Sequence, residues 1–154
     1  MSGSLPPCGI YKTTINIGSV PADRFVYFHN HGDPGAGIYL PARWLNNRAE
    51  FSKQGVPLTV DHEATTLIPL PPEGLYRVRQ TFKCSANSNM TFQPGQLVQL
   101  GYNRRADSIL FIPIWDESGL MMPDRGVLME PENIRYLEQL LVGHAKSDPT
   151  QIFH

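Results

Sequence analysis

PADRFVYFHN at residues 21–30 and PGQLVQLGYN at residues 94–103 decide how this chain is read. Each starts at a proline, runs through an apolar stretch and ends at an asparagine. The first continues through GDPGAG at 32–37 to GIYLP at 37–41 and Trp44. The second continues through Asn103-Arg104-Arg105-Ala106-Asp107 to ILFIP at 109–113 and Trp115. Pro21 maps to Pro94, Asn30 to Asn103 and Pro41 to Pro113. A similarity at a nearly fixed offset reports architecture before chemistry. It implies two related β-hairpins about half a chain apart.

The surrounding pattern extends this reading. Leu75–Cys84 alternates, with Tyr76, Val78, Gln80 and Phe82 on one face and Arg77, Arg79, Thr81 and Lys83 on the other. Period two marks a half-buried antiparallel strand. Ile109, Leu110, Phe111, Ile112 and Ile114 make 108–115 apolar on both faces, as a central strand requires. Further strands are expected near 10–17, 24–29, 38–40, 65–70 and 127–129. Trp44, Arg48 and Phe51 at helical spacing predict a short helix within 42–54, with an Asn46-Asn47 hairpin turn as the alternative. Pro131-Glu132-Asn133 followed by Ile134, Leu137 and Leu141 predicts a C-terminal helix over about 132–142.

The fold expected is mainly β: a small antiparallel barrel, or two packed SH3-like β units arising from internal duplication, with a C-terminal helix. PGQLVQLGYN, a turn leading into a strand, resembles the texture of such small barrels. Residues 1–9 are expected as a flexible arm and 10–146 as a single β-rich domain with candidate halves 10–72 and 73–146. Residues 147–154 are expected as a frayed tail.

Composition narrows the function. Of 154 residues, 41% are apolar, enough for a core, and 18% are charged, below the usual share. A formal net charge of −1 provides no global field toward nucleic acid or an anionic membrane. No apolar run reaches spanning length, and the N-terminus lacks a secretory pattern. Cys8 and Cys84 are expected as reduced thiols, which with the rest points to the cytoplasm.

The sharpest chemical motif is His29-Asn30-His31-Gly32-Asp33. On a strand, residues i and i+2 face the same way, so two imidazoles and a carboxylate can converge on a divalent metal. Asp61-His62-Glu63 offers a further ligand, His62 foremost. The spacing invites comparison with metallo-β-lactamase-like hydrolases, JAB-type zinc isopeptidases and cupins, and each comparison fails at a required ligand. No cofactor is expected, and a divalent metal is left open. Packing of His29 beside Tyr27 is the simpler explanation.

Two surfaces are the other candidates. Arg77, Arg79 and Lys83, with Arg104 and Arg105, would line a basic groove for single-stranded nucleic acid. Trp44 and Trp115 serve as core anchors or line a shared groove, and Leu120-Met121-Met122 adds adaptable apolar surface. Nucleophilic chemistry has little support, because no histidine is placed by sequence as a base for Cys8 or Cys84. The reading that results is a non-catalytic module that recognises a protein partner. A small metal-dependent protein and a nucleic-acid binder are the alternatives, and homo-oligomerisation is left open.

Overall fold

Phe25-Val26-Tyr27-Phe28-His29 is apolar on both faces because this strand separates two cores. In the computed structural model, which describes residues 5–32, 35–85, 89–141 and 143, Phe25 belongs to one buried cluster and Val26 and Phe28 to another. The first cluster gathers Tyr11, Ile17, Val20, Val26, Phe28, Ile38, Ala64 and Leu67. The second gathers Phe25 with Tyr76, Val78, Phe82, Phe92, Val98, Leu100, Tyr102, Leu110, Met129 and Leu137, among others.

The described chain is mainly antiparallel sheet. In order come β1 (Gly9–Lys12), β2 (Phe25–His29), β3 (Gly37–Tyr39), β4 (Pro41–Leu45), β5 (Arg48–Phe51), β6 (Val56–Pro57), a 3-10 helix (Asp61–Thr66) and β7 (Ile68–Pro69). Then follow β8 (Gly74–Val78), β9 (Phe82–Lys83), β10 (Thr91–Phe92), β11 (Leu97–Tyr102), β12 (Ser108–Phe111), β13 (Ile114–Asp116), β14 (Gly119–Met121), β15 (Val127–Met129), a second 3-10 helix (Pro131–Tyr136) and β16 (Leu137–Gln139). Two five-stranded sheets have the orders β6-β3-β2-β1-β7 and β15-β12-β11-β8-β16, and β4-β5, β9-β10 and β13-β14 are two-stranded hairpins.

The two sheets are wired alike. In each, the second strand is central, a hairpin follows the third, and a 3-10 helix precedes the fifth, which returns to pair with the first. The registers agree as well. Tyr11 pairs with Val26 and Phe28 with Ile38, while Tyr76 pairs with Val98 and Leu100 with Leu110, all eight being buried. Pro6-Pro7-Cys8-Gly9-Ile10-Tyr11-Lys12 leads into the first sheet, and Pro71-Pro72-Glu73-Gly74-Leu75-Tyr76-Arg77 into the second. Each 3-10 helix ends on a buried leucine, Leu67 or Leu137, whose N–H bonds to the carbonyl three residues back.

Structural register shifts the alignment read from the sequence. Phe28 corresponds to Leu100, so His29 corresponds to Gly101 and Asn30 to Tyr102 rather than to Asn103. A one-residue slip exchanges the two faces of a strand. The Pro21–Pro94 and Asn30–Asn103 matches therefore compared opposite faces of the two strands, whereas the Pro41–Pro113 match keeps the structural offset of 72.

Three expectations are corrected. No sheet among the described residues closes into a barrel, because no ladder joins the edge strands β6 and β7, or β15 and β16. Residues 41–51 form a hairpin rather than a helix: Asn46 and Asn47 both take positive φ (52° and 66°), the geometry of a tight turn matched to strand twist. The C-terminal helix over 132–142 is a 3-10 turn followed by a strand. Pro131 starts a helix as expected, but Leu137 leaves it at φ −109°, ψ 146°, and pairs with Val78 on the open edge of β8. Leu137 is buried while Leu141 is 82% exposed, so the helical stripe never forms one face.

Candidate functional site

Three places carry the residues singled out by sequence. At the first, the β1–β2 ladder pairs Gly9 with Phe28 and so brings Cys8 beside His29. Cys8 Sγ lies 3.6 Å from His29 Nδ1 and 3.9 Å from His31 Nδ1. One ligand atom from each of the three lies within 4.8 Å of the others, and the two imidazole centroids are 4.0 Å apart. Asn30 binds the cluster together: its N–H donates to Cys8 Sγ at 3.3 Å and its Oδ1 lies 2.7 Å from His31 Nδ1. Its Nδ2 donates to Pro6 O at 3.2 Å, so the chain ahead of β1 is tied down at this point. Cys8 and His29 are half-buried and His31 is exposed.

Asp33 lies outside the described residues. His62 does not join the cluster; it is exposed on the first 3-10 helix, where its carbonyl accepts the Thr65 hydroxyl. Glu63 is engaged with the N–H groups of Thr59 and Val60 and the Thr59 hydroxyl. Burial alone would raise its pKa, but these bonds bring it below the usual carboxylate value.

Cys8 also forms part of the wall of a cleft of about 540 Å³, whose other walls include Tyr27, Arg48, Phe51, Leu70 and Glu73. Glu73 accepts the Ala49 N–H at 2.9 Å. Burial pushes its pKa up, with this hydrogen bond and Arg48 opposing.

The basic residues do not form one groove. Arg77 sits opposite Leu97 at the start of β11, whereas Arg104 and Arg105 lie in the turn after its end at Tyr102. A five-step strand separates them by roughly 17 Å. Arg77 is paired with Glu138 at 2.8 Å, and Arg79 donates to the Arg135 carbonyl at 2.6 Å. Lys83 is exposed on β9, and Arg105 is exposed in the 103–107 turn. Arg104 lies over the Trp44 ring, 5.1 Å from its centroid, and donates to Pro41 O.

The two tryptophans part company. Trp44 on β4 is half-buried and donates Nε1–H to Tyr102 O at 3.0 Å, placing its hairpin on the second sheet. There Asn47 Nδ2 donates to Gln99 Oε1 and Pro123 O, and Gln99 Nε2 donates to Asn46 O. Grooves of about 350 and 570 Å³ both border Trp44, Asn47 and Asp124, and the larger is lined by Leu120, Met121 and Met122. Trp115 on β13 is 75% exposed, which removes it as a core anchor. It pairs with Leu120, beside the Ile114–Met121 pair, and all four side chains are partly or largely open to solvent.

Sequence reasoning missed Cys8, placed in a proline-rich arm with no base assigned to it. The signal was there: Pro-Pro-x-Gly-x-Tyr occurs twice, and its second copy opens a strand. Among the described residues, no helix is long and apolar enough to cross a membrane. No protein-family model matches this chain, and neither the curated proteins nor the solved structures contain a match.

Proposed function

We propose that this chain is a non-enzymatic interaction module made of two SH3-like β units related by internal duplication, and that the β13–β14 hairpin is its contact with a protein partner. Support for the two units comes from the shared strand order, with a 3-10 helix before each fifth strand, and from the matched buried pairs. The observation that carries the binding reading is Trp115, 75% exposed on a hairpin outside both five-stranded sheets. Its cross-strand partner Leu120 is 38% exposed, and Ile114 and Met121, the next pair along the hairpin, are 55% and 49% exposed on its other face. Exposed apolar surface of this extent is costly to leave in water, and tryptophan is enriched among the residues that carry binding energy at protein interfaces.

The first unit indicates what such a hairpin does. Its β4–β5 turn lies on the second sheet and bonds to Gln99 through Asn46 and Asn47. The equivalent hairpin of the second unit carries a wholly exposed first strand. The occupant proposed is a protein surface with an apolar groove that admits an indole. Pairing of Arg77 with Glu138 and the separation of the basic residues argue against nucleic acid as the principal ligand.

Affinity capture with the full chain tests this, comparing wild type with Trp115→Ser/Leu120→Ser and with Arg77→Ala/Lys83→Ala. A partner retained by the arginine–lysine variant and lost by the hairpin variant is expected. Light scattering identifies a second copy of the chain as that partner if wild type self-associates and the hairpin variant does not. Equal capture by a folded hairpin variant, or tight oligonucleotide binding that weakens steeply with salt, would overturn the reading.

A further inference from the structure

We infer that Cys8, His29 and His31 form a binding site for a zinc-class divalent cation. One sulfur and two imidazole nitrogens form a donor set selective for zinc over magnesium or calcium. Spacing is the stronger argument. Zinc–sulfur and zinc–nitrogen bonds of about 2.3 and 2.0–2.1 Å at tetrahedral angles set sulfur and nitrogen about 3.5 Å apart. Cys8 Sγ has two imidazole nitrogens at 3.6 and 3.9 Å, so a cation fits between the donors with small side-chain adjustments. Asn30 already meets the thiol's own hydrogen-bonding needs, its Oδ1 accepting from Sγ at 3.3 Å and its N–H donating to it, so the approach of two imidazoles to the same sulfur goes beyond them.

Backbone geometry presents the donors. The β1–β2 register fixes Cys8 against His29, and the bend at Asn30-His31 directly after β2 brings the His31 ring centroid to 4.0 Å from that of His29. Asn30 supplies the outer support, since its N–H points at Sγ and stabilises a thiolate there. Its Oδ1, now 2.7 Å from His31 Nδ1, gives up that contact when the nitrogen turns to the cation. Three protein donors with an exposed His31 leave the fourth position to solvent. Bound cation would clamp the chain entering β1 to the chain leaving β2.

The test uses the purified full chain, stripped with chelator and titrated with Zn2+ against a chromophoric competitor, then with Co2+. One zinc per chain is expected, together with a thiolate-to-cobalt charge-transfer band. Cys8→Ser should abolish the band, and His29→Ala and His31→Ala should each weaken zinc binding by more than about tenfold. His62→Ala should bind as wild type does. Zinc should also raise the melting temperature of wild type and leave that of Cys8→Ser unchanged. Substoichiometric zinc, or a wild-type Co2+ complex without the thiolate band, would overturn the site even if a variant failed to fold.

Discussion

Tyr11 and Tyr76 make the same hydrogen bond in the two halves of the chain: each hydroxyl donates to the carbonyl four residues earlier, Pro7 at 2.7 Å and Pro72 at 2.6 Å. Both rings are buried, and burial raises both phenol pKa values. Each bond folds a proline-rich entry segment back onto its sheet. Tyr11→Phe and Tyr76→Phe should each cost about 1 kcal/mol in chemical denaturation, the net value of a typical intramolecular hydrogen bond. The double variant should lose the sum, because the two bonds share no partner.

Glycine at 126 is dictated by close approach. A Cβ there would collide with the Leu110 carbonyl oxygen and meet Ile109 Cγ2 at 2.6 Å. Gly126→Ala should therefore force β15 away from β12 and cost upward of ~2 kcal/mol. Gly143→Ala, with nothing within 4 Å of the added carbon, should be close to neutral in the same thermal unfolding experiment.

Asn47 does two jobs. It takes φ 66°, and its side chain donates to Gln99 Oε1 and Pro123 O at 2.9 and 2.8 Å. Asn47→Ala should cost about 2–3 kcal/mol, from left-handed strain plus lost bonds. Asn47→Gly keeps the conformation and should cost less. The difference between the two isolates the backbone contribution, read by urea denaturation.

Trp44 and Trp115 should be separable by fluorescence. Trp115, 75% exposed, should emit at long wavelength and be quenched freely by iodide, so Trp115→Phe removes most of the quenchable signal. Trp115→Ser should change stability by less than about 0.5 kcal/mol. Trp44→Phe should cost about 1 kcal/mol or more, since it removes the bond to Tyr102 O and weakens the contact with Arg104.

Glu73 sets a pH dependence. Its folded pKa is raised, mainly by burial, above the ordinary value of 4.5, so the folded state holds this proton more tightly than the unfolded chain. Its contribution is fully favourable below that value and is lost as pH rises through the folded pKa. Glu73→Gln keeps an acceptor for the Ala49 N–H without the buried charge. The variant should melt higher than wild type near pH 7, and the gain should vanish toward roughly pH 4.

Much of the strand content was legible because alternation from 75 and the apolar runs at 25–29, 97–102 and 108–111 follow burial directly, although the strand expected over 75–84 breaks after Val78 and resumes as β9 in another sheet. The shared strand order of the two sheets was only half legible. Tyr11 and Tyr76 are 65 positions apart, while Phe28 and Leu100 are 72 apart. Unequal loops between the strands defeat any search at one offset, and the Asn30–Asn103 match fell one residue off the structural register. Residues 132–142 misled because Ile134 and Leu137 fit either a helical face or a 3-10 turn ending at a sheet edge, and the edge of β8 is a long-range feature. Cys8 was invisible as a site residue because His29 reaches it only through strand pairing.

The four residues between the two sheets are each fastened. Leu70 N–H donates to Ile10 O, Pro71 O accepts the Tyr102 hydroxyl, Pro72 O accepts Tyr76, and Glu73 takes the Ala49 N–H. Two of these four are prolines, so the span has little torsional freedom of its own. It works as a bracket and not as a tether. The first sheet, with the Cys8 corner at the start of its β1–β2 ladder, is thus held at a set bearing to the second, and ligands at the two proposed sites would be presented at an angle the fold sets.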